Sequence, residues 1–210
     1  MLTFNNRVNK RITLAVLLGL ATAGASYLGY RHYSASATLD QAPETVAGSV
    51  ITLKQMRETY FVELHHMFSD AIRKGLEFSP VINLGYSIAY FRELDRRARI
   101  TNGLLYVIFD NQDDKPIGTI EIREYSPDDV GQMGCWINEK YWGHGRIQEA
   151  IKLISGVYFR LYPNEKSFIA YARPWNHRSF KALKKAGLVE KGMAYKDGIA
   201  TYNVLEMHKK

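Results

Sequence analysis

The stretch from Gly145 to Leu161 limits the fold more than any other. Ile147, Ala150, Ile151, Ile154, Val157, Tyr158 and Leu161 recur at three- and four-residue steps, the spacing of one buried helical stripe. A charged, glycine-punctuated loop, "NEKYWGHG", runs into it, and Pro163-Asn164 stops it. A helix with one apolar stripe has to bury that stripe against another layer. The flanking runs supply one: "GQMGCWI" (131–137) before the helix and "SFIAYA" (167–172) after it both read as strands.

The remaining patterns extend this alternation. "VITLKQM" (50–56) reads as a first strand, and apolar positions from Tyr60 to Leu76 follow helical spacing. A second helix is expected over Leu84–Ala98, ahead of Asn102-Gly103. "LLYVIFD" (104–110) and "IGTIEIREY" (117–125) read as strands separated by the turn "NQDDKP", and "SPDDVG" turns the chain again. A last helix is expected from about His177 to Ala186 with Gly187 at its carboxyl cap, followed by a hairpin about Lys196-Asp197-Gly198. The order is strand, two helices, three strands, helix, strand, helix, two strands. It predicts one α/β domain with a mixed sheet.

Charge and cysteine usage narrow the functions. The net charge is +7, but residues 1–39 contain Arg7, Lys10, Arg11 and Arg31 and no acid, which leaves 24 basic against 21 acidic side chains beyond them. There is no dense Lys/Arg tract with interleaved aromatics, which argues against nucleic acid as the main partner. Cys135 is the single cysteine, so no intramolecular disulfide and no cysteine-built metal site can form. The only close histidine pair, His65–His66, lacks zinc-ligand spacing. No metal is expected.

"ITLAVLLGLATAGASYLGY", Ile12 to Tyr30, is 19 residues without a charge, near the roughly 20 that cross a bilayer core as a helix. Residues 1–33 are therefore expected to be a hydrophobic helix acting as a single-pass membrane anchor. The alternatives are a cleavable secretory signal and an organellar presequence leading to a matrix. The basic residues place the amino terminus inside and the body outside. Residues 34–49, small and polar without periodicity, read as a linker to a domain at 50–210.

Two sites could carry chemistry. Lys140–Gly145 opens a helix, whose free N–H groups and dipole favour phosphate, and Gly143 and Gly145 let an anion approach the backbone. By itself this also suits a plain glycine turn. In "ARPWNHRSFKALKKAGL", Asn176 precedes the next helix and Ser179 follows by three residues, the spacing of an N-cap. Asn176 either caps that helix or hydrogen-bonds a ligand.

Taken together, with the glycine loop opening one helix and Asn-x-x-Ser the next some 31 residues on, the sequence resembles the GNAT superfamily of acyl-CoA N-acyltransferases. It looks closest to the branch that acetylates ribosomal-protein amino termini. The resemblance rests on Ile117-Gly118, "GCWINEKYWGHGRIQEAIKLI" and "NHRSFKALKKAGL", and covers roughly residues 48–208. It implies a mixed, mostly antiparallel sheet flanked by helices and acetyl-CoA as cosubstrate, so the domain is expected to face an acetyl-CoA-containing compartment, against the weak charge bias. Lys140, Gly143 and Gly145 would fall on the phosphate motif, with Lys140 in place of its usual Gln or Arg, and with His144 and Arg146 would cradle the pyrophosphate. Trp136 and Ile137 would offer a strand edge to the pantetheine arm. Asn176 would bind the pantetheine or phosphate region, and Ser179 would protonate the leaving thiolate. Leu183 stands where many relatives have a tyrosine acid. The implied reaction is N-acetylation of a primary amine, on a protein amino terminus, a lysine or a small molecule.

The amine must lose a proton to attack. Glu121 is one candidate base, and Asp128 and Asp129 are others. Cys135 is read as a small buried residue rather than a nucleophile. The acceptor groove is expected from residues 57–103 and the final hairpin. The alternative function is a non-catalytic GNAT-like module, tethered to a membrane as an assembly or interaction subunit.

Overall fold

Eight strands form one sheet in the order β1-β2-β3-β4-β5-β6-β8-β7. The computed structural model describes residues 41–78, 83–101, 103–123, 131–196 and 198–210. The strands are β1 (Thr45–Ala47), β2 (Ile51–Gln55), β3 (Leu104–Asp110), β4 (Lys115–Arg123), β5 (Gly131–Ile137), β6 (Ser167–Ala172), β7 (Val189–Lys196) and β8 (Ile199–His208). The helices are α1 (Phe61–His66), α2 (Asp70–Gly75), α3 (Leu84–Ile100), α4 (Arg146–Leu161) and α5 (His177–Ala186). All neighbouring strands pair antiparallel except β5 and β6, which run parallel. A strand–helix–strand connection through α4 joins that pair, as a parallel crossover requires.

Both sheet faces are covered, which is why β3 is buried along its whole length rather than at alternate residues. Leu104, Tyr106 and Ile108 pack with Ile120 and Ile122 on the α4 side, against the stripe Ala150, Ile151, Ile154, Val157 and Tyr158. Leu105, Val107 and Phe109 face the opposite way, into a second cluster with Phe61, Leu64, Phe91 and Leu94 from α1 and α3. Fully burying one such side chain contributes about 1.5–3 kcal/mol.

Two expectations change, and a third lies outside the described residues. The single helix expected over Tyr60–Leu76 is broken: a 3-10 turn at Glu58–Tyr60, then α1, then α2. Ser69 causes the restart, its Oγ accepting from the Ile72 N–H at 3.3 Å. The gap holds Phe68 among Phe91 and Trp136, at 5.5 and 4.8 Å between ring centroids, and frees the Met67 carbonyl to accept from Asn138 Nδ2 at 2.7 Å. The expected linker 34–49 ends in a strand, since Thr45–Ala47 pairs with Thr52–Lys54 as β1; three residues are too few to show a period. The expected hydrophobic helix and membrane anchor at residues 1–33 lies outside the described residues. Among the described residues, no helix is long and apolar enough to cross a membrane.

Glu149, in the first turn of α4, holds the β1–β2 turn. Its carboxylate accepts from Ser49 N and Oγ at 2.7 and 2.6 Å, from Val50 N at 2.8 Å and from Ile51 N at 3.0 Å. Burial pushes its pKa up, but these hydrogen bonds outweigh burial and hold it below the ordinary carboxylate value. A carboxylate lowered in this way contributes stability above its ordinary value, and loses it as pH falls through the lowered one. Glu149→Ala leaves the Val50 and Ile51 N–H groups without this acceptor and is expected to cost about 1–3 kcal/mol in urea unfolding at pH 7. The deficit should shrink as the pH is lowered below the carboxylate range. A deficit independent of pH would contradict the assignment.

Candidate active site

The site begins where β5 and β6 part. Their parallel register runs only from Gly131↔Phe168 to Met133↔Ala170. β5 stays paired with β4 as far as Gly118↔Ile137, and β6 with β8 as far as Ala172↔Asn203. A cavity of about 780 Å³ opens in the gap, walled by Gly134–Ile137, by Ala170–Arg173, and by residues of α4 and α5. Asn138 donates its N–H to Ile117 O at 2.9 Å. Alternation along the strand then turns the main-chain groups of Cys135 and Ile137 toward the gap. Trp142 Nε1 takes the Ile137 carbonyl at 2.8 Å, so the protein itself satisfies one of these groups. Gly118 makes the arrangement possible: a Cβ there would lie 2.1 Å from Trp136 O. The Trp136 side chain points away, into the aromatic cluster with Phe68.

The loop into α4 is a run of left-handed residues. Gly143, His144 and Gly145 have φ of 94°, 51° and 76°. A Cβ at either glycine would touch nothing within 4 Å, so the backbone angles, not space, call for glycine. The first-turn N–H groups of α4 point out beside this loop. The cavity wall reaches Trp142 and Ile147 on either side of it, while Lys140, Gly143, His144, Gly145 and Arg146 stand outside the wall. Lys140 and His144 are exposed. Arg146 turns inward: its Nε meets Asp110 Oδ1 at 2.5 Å, with the two side chains only 11% and 2% exposed. A guanidinium held in this way carries little free charge to an anion on the loop.

At the start of α5, Asn176 Oδ1 accepts from the Ser179 N–H at 3.1 Å. The helix cap is therefore real. Asn176, Ser179 and Leu183 also line the cavity, and the Asn176 amide nitrogen remains available to a ligand. Two wall residues escaped the sequence reading, Trp142 and Arg178. The Arg178 guanidinium lies over the Trp142 ring, 4.0 Å from its centroid. Neither belongs to a periodic pattern; the one available hint was an arginine two residues past a helix-capping Asn.

Glu121 sits on β4 opposite Gly134 of the cavity wall, and a Cβ on Gly134 would approach its Oε1 to 2.9 Å. Burial raises its pKa, and the ion-paired Arg123 beside it opposes the rise only in part. Cys135 lines the cavity, and burial, followed by the charge of Glu121, pushes its thiol up to about 12. It therefore stays a thiol rather than a nucleophilic thiolate. Asp128 and Asp129 lie outside the described residues. Among the described residues, no group of three or more His, Cys, Asp or Glu could hold a metal.

The far end of the cavity is framed by Ala71–Glu77, except Arg73, and by Ala194 and Tyr202 of the final hairpin, within the regions expected to form the acceptor groove. Glu77 forms an ion pair with Arg173, whose guanidinium lies 4.1 Å from the Tyr202 ring centroid. Lys74 Nζ lies 5.5 Å from that of Trp175. These contacts tie the end of α2 to the β6–α5 loop across the cavity.

A parted parallel pair, a cavity crossing between the strands and a left-handed loop opening a helix at one end define an acetyl-CoA-dependent N-acetyltransferase fold. Residues 51–189 match the family model of the acetyltransferase (GNAT) domain, and the chain belongs to that family. Solved structures agree at the level of fold. Ribosomal-protein-S5-alanine acetyltransferase from Vibrio fischeri is 18% identical, covering 78% of this chain and 96% of its own, with a TM-score of 0.63. RimL, a ribosomal L7/L12 α-N-protein acetyltransferase in complex with coenzyme A, is 15% identical, covering 79% and 98%, with a TM-score of 0.62. The microcin C7 self-immunity acetyltransferase MccE, in complex with acetyl-CoA and AMP, is 17% identical, covering 77% and 94%, with a TM-score of 0.61. No curated protein matches this chain.

Gly118→Ala tests the close approach that shapes the wedge. Overpacking of this kind is expected to destabilise by about 1–3 kcal/mol, measured by urea unfolding. A stability within 0.5 kcal/mol of the unaltered protein, about the scatter of an inert surface change, would show that β4 and β5 do not need the contact.

Proposed function

We propose that the chain moves an acetyl group from acetyl-CoA to a primary amine by direct attack. The observation that carries this reading is the gap between β5 and β6, toward which Cys135 and Ile137 turn main-chain groups. A slender, amide-bearing arm laid there would be held as an added strand is held. The Gly143–Gly145 turn, the first N–H groups of α4 and the Lys140 and His144 side chains would receive the pyrophosphate at the open end. Arg146 would act through the helix it begins, its guanidinium being engaged by Asp110. Asn176 would donate from its amide nitrogen to the pantetheine or phosphate region.

The bound thioester supplies an electrophilic carbonyl and a sulfur leaving group. The chain's part is to place the amine, take one proton from it and return one to sulfur. Glu121 would take the proton through water beside Gly134, its raised pKa suiting it to the task. Ser179 would give its hydroxyl proton to sulfur as the C–S bond breaks, and regain one from solvent. The Ile137 N–H would polarise the carbonyl. With Cys135 held as a thiol, the amine forms its C–N bond directly and no acyl-enzyme intervenes. The acceptor class includes protein amino termini, lysines and small amines.

Residues 1–33 would serve as a membrane anchor or a cleaved targeting segment, a reading supported by the uncharged run Ile12–Tyr30 between basic residues. Sequencing the amino terminus of the mature protein separates the two, and a mature chain beginning beyond residue 33 would remove the anchor.

Acetyl-CoA binding by calorimetry tests the main reading, and no heat at millimolar ligand would sink it. Gly145→Glu is expected to weaken that binding at least tenfold, about 1.4 kcal/mol, with an unchanged circular dichroism spectrum. An affinity within threefold would remove the loop from the site. Glu121→Gln is expected to lower kcat roughly 100-fold. In the unaltered enzyme the rate should rise with pH as Glu121 loses its proton, through a midpoint above the ordinary carboxylate value. Glu121→Gln should lose that limb. A mutant that keeps both the rate and the limb would assign the base elsewhere.

A further inference from the structure

Three arginines line the cavity and a fourth, Arg146, stands just outside its wall; three of the four are neutralised by carboxylates. Arg123 pairs with Glu121, Arg146 with Asp110 and Arg173 with Glu77. Arg178 is different. Among the described residues no carboxylate pairs with it, it is exposed, and it lines the cavity. Its guanidinium rests on the face of Trp142, and the bond from Trp142 Nε1 to Ile137 O fixes that ring against the end of β5. Trp142 immediately precedes Gly143, so the stacked guanidinium stands beside the left-handed loop, at the cofactor end of the cavity. Stacking restrains the plane of a guanidinium while leaving its N–H edge free for oxygen ligands. Nothing on its own helix cancels the charge: α5, "HRSFKALKKA", contains no acid.

We propose that Arg178, held flat by Trp142, is the cation that grips the phosphates of the acyl-CoA, in place of Arg146. The inference rests on the acetyl-CoA reading above. Arg178 binds phosphate directly, and Trp142 is its positioning residue. The paired state of Arg146 makes this division necessary: freeing its guanidinium would strand the buried Asp110 carboxylate.

The test is binding of coenzyme A and of 3′-dephospho-coenzyme A to the full chain at two salt concentrations. Binding by the unaltered protein comes first, and its absence would overturn the acetyl-CoA reading and this inference with it. Where it binds, Arg178→Met, which keeps an apolar stem on Trp142, is expected to weaken coenzyme A at least tenfold and to flatten the dependence of affinity on salt. Arg178→Lys is expected to retain the salt dependence and part of the affinity. A loss shared by both ligands assigns the grip to the pyrophosphate; a loss confined to coenzyme A assigns it to the 3′-phosphate. Affinity of Arg178→Met within twofold overturns the proposal while leaving acetyl-CoA as the ligand. A loss with unchanged salt dependence overturns it too, since it would report packing on Trp142 rather than charge.

Discussion

The parting of β5 from β6 is the constraint on which the rest of the molecule depends. Each strand is paired along its outer side, β5 with β4 and β6 with β8. Pairing is lost only between them, beyond Met133 and Ala170. Unpaired main-chain groups in a sheet interior are unfavourable unless something satisfies them. Trp142 satisfies one, the Ile137 carbonyl, through its indole. The two clusters on opposite faces of the sheet fix the paired side of β5: α4 packs under β3 and β4, while Trp136 joins the cluster of Phe68 and Phe91.

Electrostatics around the gap follow a simple division. Glu77 and Asp110 are engaged by Arg173 and Arg146, Glu121 is paired with Arg123 behind the wall yet keeps a raised pKa, and Arg178 has no carboxylate partner among the described residues. Arg178 lies beside the left-handed loop that opens α4. Glu121 is across β5, behind Gly134. Charge for holding an anion and capacity for taking a proton are thus placed on opposite sides of one strand.

Much of this was legible in the sequence. The stripe from Ile147 to Leu161 predicted α4 and the element order because a buried face imposes a period. The glycine loop and Asn176–Ser179 stood out because left-handed turns and helix caps restrict residue choice. What escaped notice has no such local rule. Ser69 splits a helix whose apolar spacing continues across the break. The Thr45–Ala47 strand is too short to alternate. The commitment of Arg146 depends on Asp110, 36 residues earlier, and the stacking of Arg178 on Trp142 joins the first turn of α5 to the loop before α4. Long-range pairing decides these roles, and spacing along the chain does not report it.

Glu149 gives the fold a mechanical property. The β1–β2 turn is fastened on one side by a carboxylate on the first turn of α4, just past the glycine loop, and on the other by Asn111, whose side chain donates to the Gly48 carbonyl. A pull on the segment before β1 is first taken by the β1–β2 pairing and by the Ala42 and Pro43 carbonyls, which accept from Gln55 Nε2 and Tyr106 OH. Beyond those bonds the load reaches Glu149, so the turn that fastens the leading segment and the first turn of α4 share one anchor.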